Sequence, residues 1–294
     1  MTSDEKGLFD APDLLSLIDR ALAEDLGAGD VTTTWTVPAD VRATGRLMAK
    51  RPGVIAGLEV VRLVFQRIDP RLQLRVSIQD GDRVEPGQRF ADISGPVGGI
   101  LTGERTALNF LQHLSGIATL TARYVSAVAG TPAQITDTRK TIPGLRQLEK
   151  YAVRMGGGMN HRLGLFDMVL IKDNHIAAAG GITPAVERCR ERMHAQSSML
   201  KIEVETETLT QVEEAARLMV DRIMLDNMSL DAMRAAVALV RRMTAPGRPI
   251  ELEASGALTL DRVRAVAETG VDLISIGALT HSAPALDISL EMTG

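Results

Sequence analysis

The stretch Lys-Ile-Glu-Val-Glu-Thr-Glu-Thr-Leu-Thr-Gln-Val-Glu-Glu-Ala-Ala-Arg-Leu-Met-Val-Asp-Arg-Ile-Met-Leu-Asp-Asn, residues 201–227, decides the architecture. It opens as a strand, passes through a segment whose apolar residues recur at helical spacing, and returns to a second strand. Another amphipathic run spans Ser229 to Arg242, and two further turns of the rhythm follow, so strands begin near 201, 222, 249 and 273, with a helix at 259–269 before the last. Upstream, Ala-Gln-Ile-Thr-Asp-Thr at 133 and Met-Val-Leu-Ile-Lys-Asp-Asn at 168 read as two more strands, with Leu145 to Met155 helical between them. Strands alternating with helices in this way pair in parallel, as a β/α barrel or a doubly wound sheet.

The first hundred residues read differently. A helix is expected at 12–26, followed by short strands with turn signals at Gln-Asp-Gly-Asp, 79–82, and Glu-Pro-Gly-Gln, 85–88. A long helix candidate from Glu104 to Ala129, with a break or bend expected at Ser115-Gly116, leads from this mixed α/β part into the alternating part. The chain of 294 residues is 45% hydrophobic, enough for a globular core. Its N-terminal Met-Thr-Ser-Asp-Glu-Lys is acidic, no apolar leader segment follows, and no run approaches the roughly 18 apolar residues of a membrane span, so a soluble cytoplasmic protein is expected. The single cysteine, Cys189, rules out an internal disulfide and reads as inert; no Cys or His pair has zinc-ligand spacing. A net charge of −4 and 3% aromatic residues argue against a nucleic-acid partner.

Against that net charge, Thr-Asp-Thr-Arg-Lys-Thr-Ile-Pro-Gly at 136–144 sets Arg139 beside Lys140 where an apolar run stops. The same happens strand after strand: Lys172 to His175, Glu203 with Glu205, Asp226 with Asn227, Glu251 with Glu253 and Ser255, and Ser275 with Gly277 stand at strand ends, where β/α barrels carry their reactive groups. Glu203 and Glu205 point to one face of their strand, and two carboxylates facing a barrel interior need counter-charge. Lys172, Arg139, Lys140, Arg162 and His161 are the obvious cations, and any surplus of them suits an anionic ligand. Three glycines at 156–158 precede Asn160, His161 and Arg162, either as a helix stop or to let backbone approach a ligand. Small-residue loops at 254–257 and 275–282 follow the last two strands, where barrels commonly hold a phosphate.

Seven ordered blocks carry a resemblance across nearly the whole chain: Ala-Leu-Ala-Glu-Asp-Leu-Gly-Ala-Gly-Asp-Val-Thr-Thr from 21, Gly-Glu-Arg-Thr-Ala-Leu-Asn-Phe from 103, Asp-Thr-Arg-Lys-Thr from 137, Gly-Gly-Gly-Met-Asn-His-Arg-Leu-Gly-Leu from 156, Leu-Ile-Lys-Asp-Asn-His from 170, Met-Leu-Asp-Asn from 224 and Gly-Ala-Leu-Thr-His-Ser from 277. The sequence is similar to the quinolinate phosphoribosyltransferases, also called nicotinate-nucleotide pyrophosphorylases (carboxylating). The resemblance implies an α/β fold with an N-terminal α/β sandwich domain, 1–115, and an incomplete (β/α) barrel of the type II phosphoribosyltransferase kind, 116–281, with residues from about 282 to 294 packing back on the first domain. It also implies transfer of phosphoribose from phosphoribosyl pyrophosphate to quinolinate with decarboxylation, Mg2+ as cofactor, and a homodimer with shared active sites. By the same resemblance Arg139, His161, Arg162 and Lys172 surround the substrate carboxylates, Thr138 also binds substrate, and Arg105 reaches in from the neighbouring subunit. Lys140 serves phosphoribosyl pyrophosphate. Glu205 and Asp226 face the ribose and the metal, directly or through substrate or water, and Lys140, Glu205 and Asp226 are the implied catalytic residues. Ser255, Gly256 and Ala257, with Ser275, Gly277 and His281, match the 5′-phosphate binders. Ala257 stands where the family often has a second glycine or another small residue after Ser-Gly, and Ile142 replaces a frequent threonine. The nearest competing reading is a molybdate-transport-associated relative of the same fold; a Schiff-base aldolase using Lys172 and a non-catalytic binding protein are more distant ones.

Overall fold

Aliphatic runs such as Ile223-Met-Leu225, buried from end to end, are what a strand covered on both faces requires. The computed structural model of the chain describes residues 7–244 and 249–293, so the N-terminal hexapeptide read above lies outside the described residues. The chain divides into two units, one comprising residues up to Ala122, Ile142–Gly157 and Ser282 onward, the other Arg123–Thr141 and Gly158–His281.

The first unit contains an antiparallel sheet built from β1 (Arg42–Ala49), β3 (Gln73–Val76), β5 (Arg89–Pro96) and β12 (Ile288–Thr293), in the order β12-β1-β5-β3, while β2 (Gly53–Val54) pairs with β4 (Arg83–Val84). The helices Pro12–Leu26 and Leu58–Ile68 bury Ile18, Val60, Val61, Val64 and Phe65. Asp80 secures the second of these: its carboxylate accepts the Gly57 and Leu58 N–H groups at the helix N-terminus and the Tyr151 hydroxyl at 2.6 Å. Glu149, fully buried on the helix Arg146–Met155, lies 2.9 Å from His113 Nε2 and accepts the Ile142 N–H.

The long helix runs unbroken from Val97 to Ala127, starting seven residues before the expected Glu104. The break expected at Ser115-Gly116 does not occur, because both residues serve neighbours. Ser115 Oγ accepts the Ala56 N–H at 3.0 Å, and a Cβ on Gly116 would fall 2.2 Å from the Pro284 carbonyl oxygen. Gly99 and Gly103 likewise face Leu72 and Phe65, so glycines that argue against a helix in sequence allow close packing here. The C-terminal segment is fixed along this helix by Leu286 N–H to the Gln112 carbonyl and by Gln112 Nε2 to the Ile288 carbonyl before β12 pairs with β1.

The second unit is a parallel sheet of β6 (Gln134–Thr136), β7 (Val169–Ile171), β8 (Ile202–Thr206), β9 (Arg222–Asp226), β10 (Glu251–Ser255) and β11 (Leu273–Ser275), in the order β6-β11-β10-β9-β8-β7. Sequential strands are neighbours, and the first pairs with the last, which is barrel order with the seam between β6 and β7. The architecture is therefore the incomplete β/α barrel expected. At the seam an isolated bridge joins Thr136 to Met159. The intervening helices are set locally: Thr208 and Gln211 form a capping box before Leu209–Arg217, and Ser229 Oγ accepts the Ala232 N–H to start Leu230–Met243. The helix expected at 259–269 shortens to Val263–Ala267, preceded by turns from Thr259 and closed at Gly270, whose φ is +93°.

Alanine ordinarily stabilises a helix interior by about 1 kcal/mol over glycine. At Gly116 the backbone oxygen of Pro284 reverses the sign: Gly116→Ala is expected to destabilise the protein by about 1–3 kcal/mol, read from the urea unfolding midpoint.

Candidate active site

Because the six strands of the second unit run in one direction, their C-terminal ends share one rim, and the residues found there line a cleft of about 910 Å³. Thr138, Arg139 and Lys140 follow β6; His161 and Arg162 come from the segment after the seam bridge; Lys172 follows β7; Glu205 and Asp226 end β8 and β9; Ser255, Gly256 and Ala257 close β10; and Ser275, Gly277 and His281 lie at and beyond β11. Arg105 is not among the lining residues. It is exposed on the helix Val97–Ala127, in the first unit.

Several contacts hold this rim. Asp137, fully buried, accepts Asn160 Nδ2 at 2.6 Å and the His161 N–H at 2.9 Å, which fixes the His161-Arg162 segment to the end of β6. Thr138 Oγ accepts the Lys140 N–H, and the Lys140 carbonyl accepts the Thr280 hydroxyl. Lys140 packs closely on Gly277, where a Cβ would stand 2.9 Å from Lys140 Cδ. The glycines at 156–158 do not line the cleft. Gly156 caps the helix Arg146–Met155, its Cβ position only 2.4 Å from the Ala118 carbonyl oxygen, and Gly157 turns the chain at φ +84°, so this run serves the helix end.

Arg139 and Arg162 are the electrostatic feature of the cleft. Burial and the nearby Arg139 guanidinium together lower the pKa of Arg162, meaning that positive charge there lacks full compensation. Arg162 donates to the Met168 carbonyl, and no carboxylate pairs with Arg139 among the described residues; its Nε is buried without a hydrogen-bond partner. Lys172, by contrast, is bonded to Glu205 Oε2.

The two interior carboxylates find a cation that sequence reasoning missed. Glu203 and Glu253 are fully buried on β8 and β10, and Arg222, at the start of β9 between them, places Nη1 3.0 Å from Glu253 and 3.9 Å from Glu203. His161 Nε2 completes the cluster, 3.1 Å from Glu203 and 3.4 Å from Glu253. The imidazole and carboxylates are close enough to hold a metal ion, but the guanidinium already supplies positive charge among them. Two buried carboxylates against one guanidinium need one more proton, and the His161–Glu203 pair holds it. Burial of the His161 ring favours its neutral form, yet the hydrogen bonds and charge of Glu203 and Glu253 outweigh this and raise its pKa to about 9. Burial and the Glu253 charge raise Glu203, whereas for Glu253 the effect of burial is overcome by His161 and Arg222, and its pKa is lowered. His161 Nδ1 accepts the Arg162 N–H at 2.8 Å, which orients Nε2–H toward the carboxylates; a second proton on Nδ1 displaces that contact. Register shows how the cluster was hidden. Arg222 stands beside Glu203 on one side and Glu251 on the other, so the parallel pairing itself supplies the cation.

The arrangement sets guanidinium, imidazole and ammonium groups beside carboxylates on one barrel rim. Two family models match the chain: the quinolinate phosphoribosyl transferase C-terminal domain over residues 117–291, and the N-terminal domain of the same family over 30–115. A probable nicotinate-nucleotide pyrophosphorylase (carboxylating) of Synechocystis is 48% identical over 275 residues, covering 94% of this chain and 91% of that one. The chloroplastic enzyme of the same name from Arabidopsis thaliana is 45% identical over 296 residues, covering 95% and 83%. The solved nicotinate-nucleotide pyrophosphorylase of Francisella tularensis superposes with a TM-score of 0.90 at 37% identity, covering 97% of this chain and 98% of that one. The chain belongs to the quinolinate phosphoribosyltransferase family.

The raised His161 pKa has a thermodynamic consequence. Its contribution to stability is fully present below the ordinary histidine value of 6.5 and is lost as pH rises through about 9. Urea unfolding across that window should show a decline that His161→Gln flattens; an equal decline in the variant would assign it to other groups.

Proposed function

We propose that the cleft transfers phosphoribose from phosphoribosyl pyrophosphate to quinolinate and decarboxylates the product, giving nicotinate mononucleotide, pyrophosphate and carbon dioxide for NAD biosynthesis. One observation carries the reading at this site: the Arg139 and Arg162 guanidinium groups repel each other in this cleft, Glu203 and Asp167 offset Arg162 only in part, and no carboxylate pairs with Arg139 among the described residues. A ligand with two carboxylates supplies the missing charge, and planar guanidinium groups match carboxylates in shape. The His161–Glu203 pair holds its extra proton beside them, and Lys172 completes the carboxylate surroundings.

The cleft then orders the chemistry by position and charge. Lys140 and the loops Ser255–Ala257 and Ser275–His281 face the phosphoryl groups of the second substrate. As the bond from the anomeric carbon to the pyrophosphate oxygen lengthens, its electron pair leaves with pyrophosphate, and Glu205 and Asp226 stabilise the positive charge developing on the ribose ring. The pyridine nitrogen forms the new bond to that carbon and becomes cationic. The adjacent ring carbon then releases carbon dioxide, keeps the electron pair next to the positive nitrogen, and takes up a proton. Glu205 and Asp226, oxygen donors on neighbouring strands, would hold Mg2+, an ion that takes one or two carboxylates together with phosphate oxygens. When bound, the ion neutralises charge on the leaving group.

The family resemblance supports a homodimer in which Arg105 serves the partner's cleft, and its exposed position on its own unit is compatible with that role. No helix among the described residues is long and apolar enough to cross a membrane, and the single cysteine is consistent with a cytoplasmic location.

Pyrophosphate release should require quinolinate, with carbon dioxide appearing in equal amount, and should not occur when nicotinate replaces it; release with nicotinate alone would overturn the dicarboxylate reading. Arg139→Ala should lower kcat/KM for quinolinate by about 100-fold or more, the size expected from losing charge-assisted hydrogen bonds. Mixing unfolded and refolded Arg105→Ala with Arg139→Ala protein should restore activity that neither shows alone. No recovery would place each site within one chain.

A further inference from the structure

We infer that Asn227, which no step above uses, is a positioning residue that ties the ribose-facing carboxylate Asp226 to the loop that receives the 5′-phosphate. The inference rests on the proposed reaction for the identity of the ligand, and on geometry for the residue. Asp226 and Ser255 are paired across β9 and β10, so the two strands deliver a carboxylate and a small-residue loop to the same place on the rim. Immediately after the pair, Asn227 adopts a left-handed backbone at φ 51°, a conformation asparagine tolerates better than most residues. That turn directs both ends of its amide inward. Nδ2 donates to Asp226 Oδ2 at 2.9 Å, and Oδ1 accepts the Ala257 N–H at 3.3 Å, while its own N–H donates to the Ser255 carbonyl at 3.0 Å.

The amide is the one side chain of this size that offers a donor to a carboxylate and an acceptor to a backbone N–H at once. An aspartate would meet Asp226 with like charge, and a leucine would satisfy neither. The loop is built around the contact: Gly256 has φ +126°, and a Cβ there would lie 2.3 Å from Asn227 Oδ1 and 3.2 Å from its backbone nitrogen. The Leu258 N–H closes the turn on the Gly256 carbonyl at 2.9 Å. Gly256 is therefore required by Asn227 as well as by any phosphate, and Ala257, the position that departs from the family's usual residue, has its N–H engaged by the amide. Asn227 lines the same cleft and is exposed, so removing its side chain opens no cavity in the core.

Asn227→Gly tests this directly, since glycine keeps the left-handed backbone and deletes only the amide. The expected result is a KM for phosphoribosyl pyrophosphate raised about tenfold, a KM for quinolinate changed by less than about twofold, and an unchanged unfolding midpoint for the ligand-free protein. Inorganic phosphate, titrated calorimetrically without the other substrates, should bind the variant correspondingly more weakly. Gly256→Ala should cost less phosphate affinity in the Asn227→Gly background than in the wild type, because the oxygen its Cβ would meet is gone. Unchanged KM and phosphate affinity would overturn the inference, as would equal weakening of both substrates with a lowered midpoint, which marks a merely structural residue. Should the wild type fail to release pyrophosphate with quinolinate, the proposed reaction falls, and the phosphate titrations still decide the role of Asn227.

Discussion

The pairing of β6 with β11 governs everything that follows in the second unit. Bringing the first strand against the last while all run in one direction curls the sheet and gathers six C-terminal ends on one rim. No single loop carries the chemistry. Each strand contributes a few residues, and only the closed order makes them neighbours. The tight turns at Gly256 and Gly277 follow from the same crowding, because side chains from adjacent strand ends, Asn227 and Lys140, occupy the space their Cβ atoms would need.

Beneath the rim the barrel interior is charged where most are aliphatic. Glu203, Glu253 and Arg222 together cost more to desolvate than a hydrophobic trio of the same volume, by the general behaviour of buried ion groups. What the cluster supplies in return is a fixed polarity under His161. A ring resting on two carboxylates keeps Nε2–H aimed at them, has its pKa raised to about 9, and cannot swing away without abandoning them. Lys172 and Glu205 form a further ion pair nearer the rim.

Much of this was legible in residues alone, and the failures share a cause. The alternation of strands and helices and the polar residues at strand ends follow from periodicity and from the rule that barrels react at their C-terminal rim, whereas the choice of a barrel over a doubly wound sheet came from the family resemblance. Arg222 was missed because it begins its strand, at the end where that rule gives no reason to look; its long side chain reaches the interior through register with Glu203 and Glu251. Glycines were harder to read. Gly116 suggested a broken helix but is there because the Pro284 carbonyl comes close, as Gly99 and Gly103 admit Leu72 and Phe65, and of the two readings of the run 156–158 the structure takes the helix stop. In each case the deciding partner lies far away in sequence, where periodicity does not reach.

The course of the chain between β6 and β7 bears on how such a protein can be divided. Ile142–Gly157 belongs to the first unit although it is flanked on both sides by segments of the second, and Ser282 onward returns to the first as well. Leu148, Glu149, Lys150 and Tyr151 on that excursion are buried, with Glu149 and Tyr151 bonded to His113 and Asp80. A contiguous gene fragment spanning the barrel alone would carry this excursion without the groups that cover it, and a fragment ending before Arg123 would lack both the excursion and the closing strand. The two units can therefore neither be cut apart nor exchanged between proteins as simple cassettes, and must be inherited together.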